Sequence, residues 1–245
     1  VSAVPDPIFD DARLAAIYDP FDPDRSDLDL YLGVAAEFGA RSVLDVGCGT
    51  GTFACLLAER DINVTGVDPA AASLDIARAK PGAERVRWLH GDAGSLPPLE
   101  VDLATMTGNV AQVFLTDEDW SATLRAVHAA LRPGGYLVFE TRDPARRAWL
   151  DWNREATFQR AEIPGAGEVE TWAELTAVHG DYVSFRHWFV FAADGATLTS
   201  DSTLRFRSRT EIDESVAEAG FMVIDVRDAP DRPGREWVFI ARRSA

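Results

Sequence analysis

The sequence predicts an α/β fold: a doubly wound, mostly parallel seven-stranded sheet with an antiparallel β insertion after the fifth strand. Three observations carry this. Short apolar runs alternate with helix-spaced segments through residue 141, the order that parallel strands and crossover helices require. The run Val43–Val46 leads straight into glycines at every second position, Gly47, Gly49 and Gly51, and then into the helical spacing of Phe53, Leu56 and Leu57. Beyond residue 153 the pattern changes to period-two alternation, punctuated by Gly180-Asp181 and Asp194-Gly195 turns.

The totals bound the protein. A chain of 245 residues, 47% hydrophobic and 26% charged, suits one globular α/β domain. It is expected to span 1–245, with an N-terminal helical cap over 1–38 and a β-rich insertion over 154–208, above or beside the active site. No run of 18 apolar residues exists, and Val1–Asp11 lacks a basic and apolar leader, so a cytoplasmic location is expected. The 40 acidic residues outnumber 24 basic ones, a formal charge of −16, with Lys80 the only lysine. Phosphate backbones and anionic lipid both select basic faces, so neither nucleic acid nor membrane is an expected partner. A small-molecule acceptor, or a protein with a basic face, is expected instead. Cys48 and Cys55 match neither a disulfide framework nor a metal spacing and read as small buried residues; no metal is expected.

In chain order, Ile8, Phe9, Ala12, Ala16 and Ile17 predict a short helix, and Leu28 to Phe38 a second. Between them Asp19 to Asp24 reads as a proline-punctuated loop. The first strand carries Asp45 just before the glycine turn, whose small residues Gly47, Cys48 and Gly49 let a ligand approach the backbone. Ile62–Asp68 predicts the second strand, with Asp68 falling 21 residues after Gly47. At that spacing an acid binds ribose hydroxyls, the reading the position favours; with Pro69 next, a helix N-cap is the alternative. Val86–Leu89 and Val101–Met106 give the third and fourth strands. Thr107 and Asn109 then stand at a carboxyl end, where open α/β sheets bind ligands, although Asn109 could simply close the turn. Thr116 and Asp119 cap the next helix, glycines 134 and 135 stop it, and Tyr136–Thr141 makes the fifth strand. Thr210 to Asp213 reads as the capping box of a helix ending at Gly220, before strands at Phe221–Val226 and Trp237–Ala241.

The G-x-G-x-G turn, the acid at Asp68, His90-Gly91-Asp92 and Leu131-Arg132-Pro133-Gly134-Gly135 stand in one order over residues 43–141. Together they resemble class I S-adenosylmethionine (SAM)-dependent methyltransferases. The resemblance implies a Rossmann-like fold and SAM as cofactor, with S-adenosylhomocysteine as product. It further implies that Asp92 accepts from the adenine amino group while the Ala93 N–H donates to the ring. Tyr18 would lie over cofactor and acceptor, and Asp45, Gly47, Cys48, Gly49, Pro69, Thr107 and Asn109 would complete the cofactor site. The expected activity is methyl transfer to a nitrogen or oxygen of a small molecule. A non-catalytic SAM-binding protein or a protein methyltransferase is the alternative. An NAD-dependent oxidoreductase predicts the longer glycine spacing G-x-G-x-x-G and gives no role to Gly91-Asp92. No residue stands out as catalytic. Glu140 and Arg142 could bind the acceptor. Of the four histidines, His187 shares an apolar strand face with Val183, Phe185, Phe189 and Phe191 and reads as a satisfied core residue. An exposed insertion strand would allow a homodimer.

Overall fold

The computed structural model describes residues 4–244; Val1–Ala3, the start of the expected cap, lie outside the described residues. The elements, in order, are α1 (Pro7–Asp10), α2 (Ala12–Phe21), α3 (Asp29–Glu37), β1 (Ser42–Val46), α4 (Thr52–Ala58), β2 (Asn63–Asp68), α5 (Ala71–Ala79), β3 (Val86–His90) and β4 (Val101–Met106). There follow α6 (Asp117–Ala130), β5 (Leu131–Arg142), α7 (Arg154–Thr157), β6 (Gln159–Ile163), β7 (Gly167–His179), β8 (Tyr182–Phe191), β9 (Thr197–Arg205), α8 (Arg209–Glu218), β10 (Phe221–Asp228) and β11 (Glu236–Arg243).

The seven-stranded sheet has the order β10-β11-β5-β4-β1-β2-β3. Strands β1 to β5 pair in parallel, and β11 runs antiparallel to both β5 and β10. The alternation of each strand explains why helices cover both faces. Leu44, Met106, Leu137 and Phe139 pack against α6 through Trp120 and Leu124, and against α8 through Ile212 and Val216. Val43, Leu103 and Val138 turn the other way, onto Tyr31 and Val34 of α3 and Phe53 and Leu57 of α4. Strand order reverses between β1 and β4, the switch point outside whose carboxyl ends open α/β sheets have their ligand crevice.

Strands β6-β7-β8-β9 form a separate antiparallel sheet. Its inner face meets α2: Leu14 and Ile17 pack among Ile163, Val169, Phe189 and Phe191. Helix α2 also packs on α5, so it is the wedge that joins the small sheet to the large one.

Four local expectations are corrected. Helix α2 continues through Pro20 to Phe21, because Asp19 is anchored from outside the helix and holds its last turn in place. Helix α6 ends at Ala130, and Leu131 is already extended. Gly134 and Gly135 therefore lie within β5, where a Cβ at Gly135 would come within 3.0 Å of the Arg132 and Asp102 carbonyl oxygens. The capping box of α8 is Ser208 with Glu211, two residues before the expected Thr210. Strand β6, rich in charge and lacking clear alternation, was not expected; it is an edge strand, where pairing on one side is enough.

Candidate active site

The glycine turn is built by packing before it is shaped by any ligand. A Cβ at Gly47 would strike Val110 at 2.6 Å, and one at Gly51 would strike the Trp88 ring at 2.4 Å and Ala77 at 2.7 Å. One at Gly49 would meet nothing within 4 Å. Thus two of the glycines are demanded by neighbours, whereas Gly49 turns its bare side to open space.

Asp68, at the end of β2, clamps the turn: its Oδ2 accepts from the Gly49 N–H and its Oδ1 from the Ala70 N–H, both at 2.8 Å. The N-cap expectation for Asp68 is corrected: α5 begins after Ala70, whose own side chain makes no cap, and Asp68 instead braces the turn before it, using two of a carboxylate's about four acceptor positions. The Asp68 main-chain carbonyl also accepts from the Gly91 N–H at 3.0 Å, bringing the end of β3 alongside. There Asp92 caps a short turn through the Ser95 N–H, with Ala93 buried behind it. The His90 ring nitrogen Nε2 lies 3.0 Å from the Pro69 carbonyl oxygen, fixing the turn after Asp68.

Asp45, on β1, is 1% exposed. Its Oδ1 accepts from the Thr105 hydroxyl at 2.9 Å, while Oδ2 is buried with no partner. Burial pushes its pKa up to about 7, against the lowering effect of the Thr105 hydrogen bond. Cys48 is buried beside it, and burial holds its thiol protonated. Asn109 adopts a left-handed backbone, φ 62°, and its Oδ1 is likewise buried without a partner. Two orphaned oxygens at the ends of β1 and β4 are an unmet demand for hydrogen-bond donors.

A polar cluster beyond Asn109 was only partly foreseen. Glu140, on β5, accepts from the Asn109 N–H at 2.9 Å and from the Tyr31 hydroxyl of α3. Glu236, the first residue of β11, accepts from Arg232 at 2.7 Å and pairs with Arg142 at 3.3 Å. Burial, then the nearby Glu236, raises the Glu140 pKa. Gln112 accepts from Arg142 at 3.0 Å. Glu140 and Arg142 could be read from strand position. Tyr31 and Glu236 could not, because their only link to the site is folding over 109 and 127 residues.

The Asp19–Asp24 stretch is more than a surface connection. Asp19 accepts from the Thr50 hydroxyl at 2.7 Å and pairs with Lys80 at 2.6 Å, fastening α2 to the glycine turn. Tyr18, on the same turn of helix, is 37% exposed and stacks obliquely on Phe9. The expected satisfied core environment of His187 is corrected: Nδ1 is buried with no partner.

A crevice at the switch point of a doubly wound sheet, with an open glycine turn and acids ending β1 and β2, defines a nucleotide-binding α/β protein. A family model described as a methyltransferase domain matches residues 43–135. SAM-bound CalS10 of Micromonospora echinaspora, an amino pentose methyltransferase, superposes with TM-score 0.72 at 25% identity, over 93% of this chain and 97% of that one. The sugar N-methyltransferase KedS8 of Streptoalloteichus shares the fold, TM-score 0.76 at 22% identity, over 93% of each chain. Cypemycin N-terminal methyltransferase of Streptomyces is 36% identical over 106 residues, 43% of each chain. The chain spans less than half the length of this and another curated relative. With these likenesses beside the motifs and the sheet order, residues 43–135 are a methyltransferase domain, and the chain is similar in fold to the class I SAM-dependent methyltransferases. The cofactor of that family is SAM.

Proposed function

We propose that this chain transfers the methyl group of SAM to a nitrogen or oxygen of a small-molecule acceptor. The observation that carries the reading is the pair of orphaned acceptor oxygens, Asp45 Oδ2 and Asn109 Oδ1, on either side of a glycine turn with one open face. An ammonium group, as on the methionine part of the cofactor, is the donor such oxygens lack. In this reading Gly47, Cys48 and Gly49 pass the cofactor along the backbone. Asp68 uses its spare acceptor positions on the ribose, and Asp92 and Ala93 flank the adenine. Thr107 and Asn109 meet the methionine part, and Tyr18 with Pro69 closes the sides.

When bound, SAM supplies a methyl group on a cationic sulfur, activated for transfer without further cofactor chemistry. The protein's contribution is then alignment and exclusion of water. Helix α2, held down through Asp19, and the sheet of β6–β9 above it roof the crevice in this account. Arg142 and Glu140 stand at the acceptor end, and the apolar and aromatic side chains of the small sheet suit a small organic acceptor. The 25% identity to an amino pentose methyltransferase supports an amine or hydroxyl acceptor of that size. The test is release of S-adenosylhomocysteine from SAM across a panel of small amines and hydroxy compounds. Release above the acceptor-free rate with one class is expected. The acceptor-free rate across the whole panel contradicts transfer to small molecules.

A further inference from the structure

His187 lies at the middle of β8, the second strand from the free edge of the small sheet, with β7 and β9 on either side. Its side chain shares a face with Phe185, Phe189 and Phe191, and each neighbour shows where that face looks. Phe189 and Phe191 lie against Leu14 and Ile17 of α2. Phe185 lies 4.5 Å, centroid to centroid, from Trp152. Trp152 in turn has the Arg142 guanidinium 5.7 Å from its ring, at the carboxyl end of β5. His187 therefore sits between two supports, α2 on one side and the Trp152–Arg142 stack on the other. Through Trp152 the face it occupies reaches Arg142, at the carboxyl end of β5.

The ring is flanked by Phe185 at 5.4 Å and Phe189 at 6.0 Å. Directly across the strands are Ala173 and Ser200, and the Ser200 hydroxyl is taken by the Ile8 N–H at 3.0 Å. No described residue hydrogen-bonds the imidazole. Nδ1 is sealed without a partner, but the residue is only half-buried, and Nε2 is not among the sealed atoms. Burial depresses the pKa to about 4, with no charged neighbour offsetting it, so the ring is neutral at physiological pH. A core histidine is ordinarily anchored by a partner. This one is kept neutral, unanchored and framed by aromatic rings.

Resting on the methyltransferase reading above, we infer that His187 is the acceptor-contacting residue of the roof. Its Nε2 takes a hydrogen bond from the N–H of an amine acceptor, and Phe185 and Trp152 hold the apolar body of that acceptor. The substrate class is an amine carried on a ring or a short hydrocarbon frame. Accepting from the N–H leaves the nitrogen lone pair free to point at the methyl group. The imidazole then serves to orient the nucleophile.

The probe is an analogue of S-adenosylhomocysteine in which nitrogen replaces sulfur and bears an aminoethyl arm reaching into acceptor space. Its affinity is compared with that of S-adenosylhomocysteine by calorimetry for wild type, His187→Phe and His187→Gln. The arm is expected to improve wild-type affinity at least tenfold. His187→Phe should abolish that gain while binding S-adenosylhomocysteine as wild type does, and His187→Gln, which keeps an acceptor atom near Nε2, should recover part of it. In histidine-labelled protein the His187 nitrogen resonances should move with the arm-bearing compound and not with S-adenosylhomocysteine. An arm that gains nothing in wild type, or gains equally in His187→Phe, overturns the assignment. If wild type binds neither compound, the cofactor reading itself fails and takes this inference with it.

Discussion

Alanine at Gly49 and at Gly51 should separate ligand binding from folding, although the two positions are neighbours in one turn. Both backbones are left-handed, φ 53° and 78°. Either alanine therefore costs about 1–2 kcal/mol in conformational energy. At Gly51 the new Cβ also lies 2.4 Å from the Trp88 ring and 2.7 Å from Ala77. Overpacking of that kind adds about 1–3 kcal/mol, for a total near 2–5 kcal/mol. At Gly49 the Cβ meets no protein atom, so the cost stays at about 1–2 kcal/mol, but the methyl enters the space assigned to the cofactor. Urea unfolding and calorimetric titration with S-adenosylhomocysteine read the two effects. Gly51→Ala should lower the unfolding midpoint markedly. Gly49→Ala should stay nearer wild type in stability yet bind at least about tenfold more weakly, roughly 1.4 kcal/mol. Equal destabilisation by the two, or wild-type affinity in Gly49→Ala, would refute the division of roles.

Four further outcomes follow from the same geometry. Because the folded Asp45 pKa is raised to about 7 from 3.8, this group favours the folded apo protein at low pH. That contribution is lost as pH rises through about 7, and Asp45→Asn should flatten the dependence in pH-resolved unfolding. A bound ammonium favours the ionised carboxylate, so S-adenosylhomocysteine should bind more tightly at pH 8 than at pH 5.5 and displace a proton, seen by calorimetry in buffers of different ionisation enthalpy. Tyr31→Phe removes a donor from the buried Glu140 and should cost about 1–3 kcal/mol in urea unfolding; a loss below about 0.5 kcal/mol would show that the bond does not hold α3 to β5. Asp19→Ala breaks the tie from α2 to Thr50 and Lys80, so amide exchange should quicken across residues 12–21. Unchanged exchange there would remove α2 from the list of closing elements.

What could be read from the chain depended on how far each signal reached along it. Val43–Val46 with its glycines, Asp68 at its spacing, and Thr116 before Asp119 are local signals, and the structure places all three as expected. The alternation of Val183 to Phe191 correctly assigned one face of β8. It could not say that α2 covers one end of that face and Trp152 the other. Strand β6 is made by pairing with β7, so its sequence carries little pattern of its own. The capping box stands at Ser208 with Glu211 rather than at Thr210, and both sites have the same hydroxyl-x-x-acid spacing, so that pattern alone does not separate them. The partners of Glu140 illustrate the limit most clearly: Asn109, Tyr31 and the nearby Glu236 converge from three distant segments, and nothing within any one of them announces the others.

The central claim is that the crevice beside Gly49 holds an adenosyl amino acid and uses Asp68 to do so. Calorimetric titration with SAM, S-adenosylhomocysteine and NAD, on wild type and Asp68→Ala, tests it most directly. Saturable binding of both adenosyl compounds, with no heat from NAD and at least tenfold weaker binding in Asp68→Ala, is the predicted result. Binding of NAD alone, or adenosyl binding indifferent to Asp68, would contradict the account.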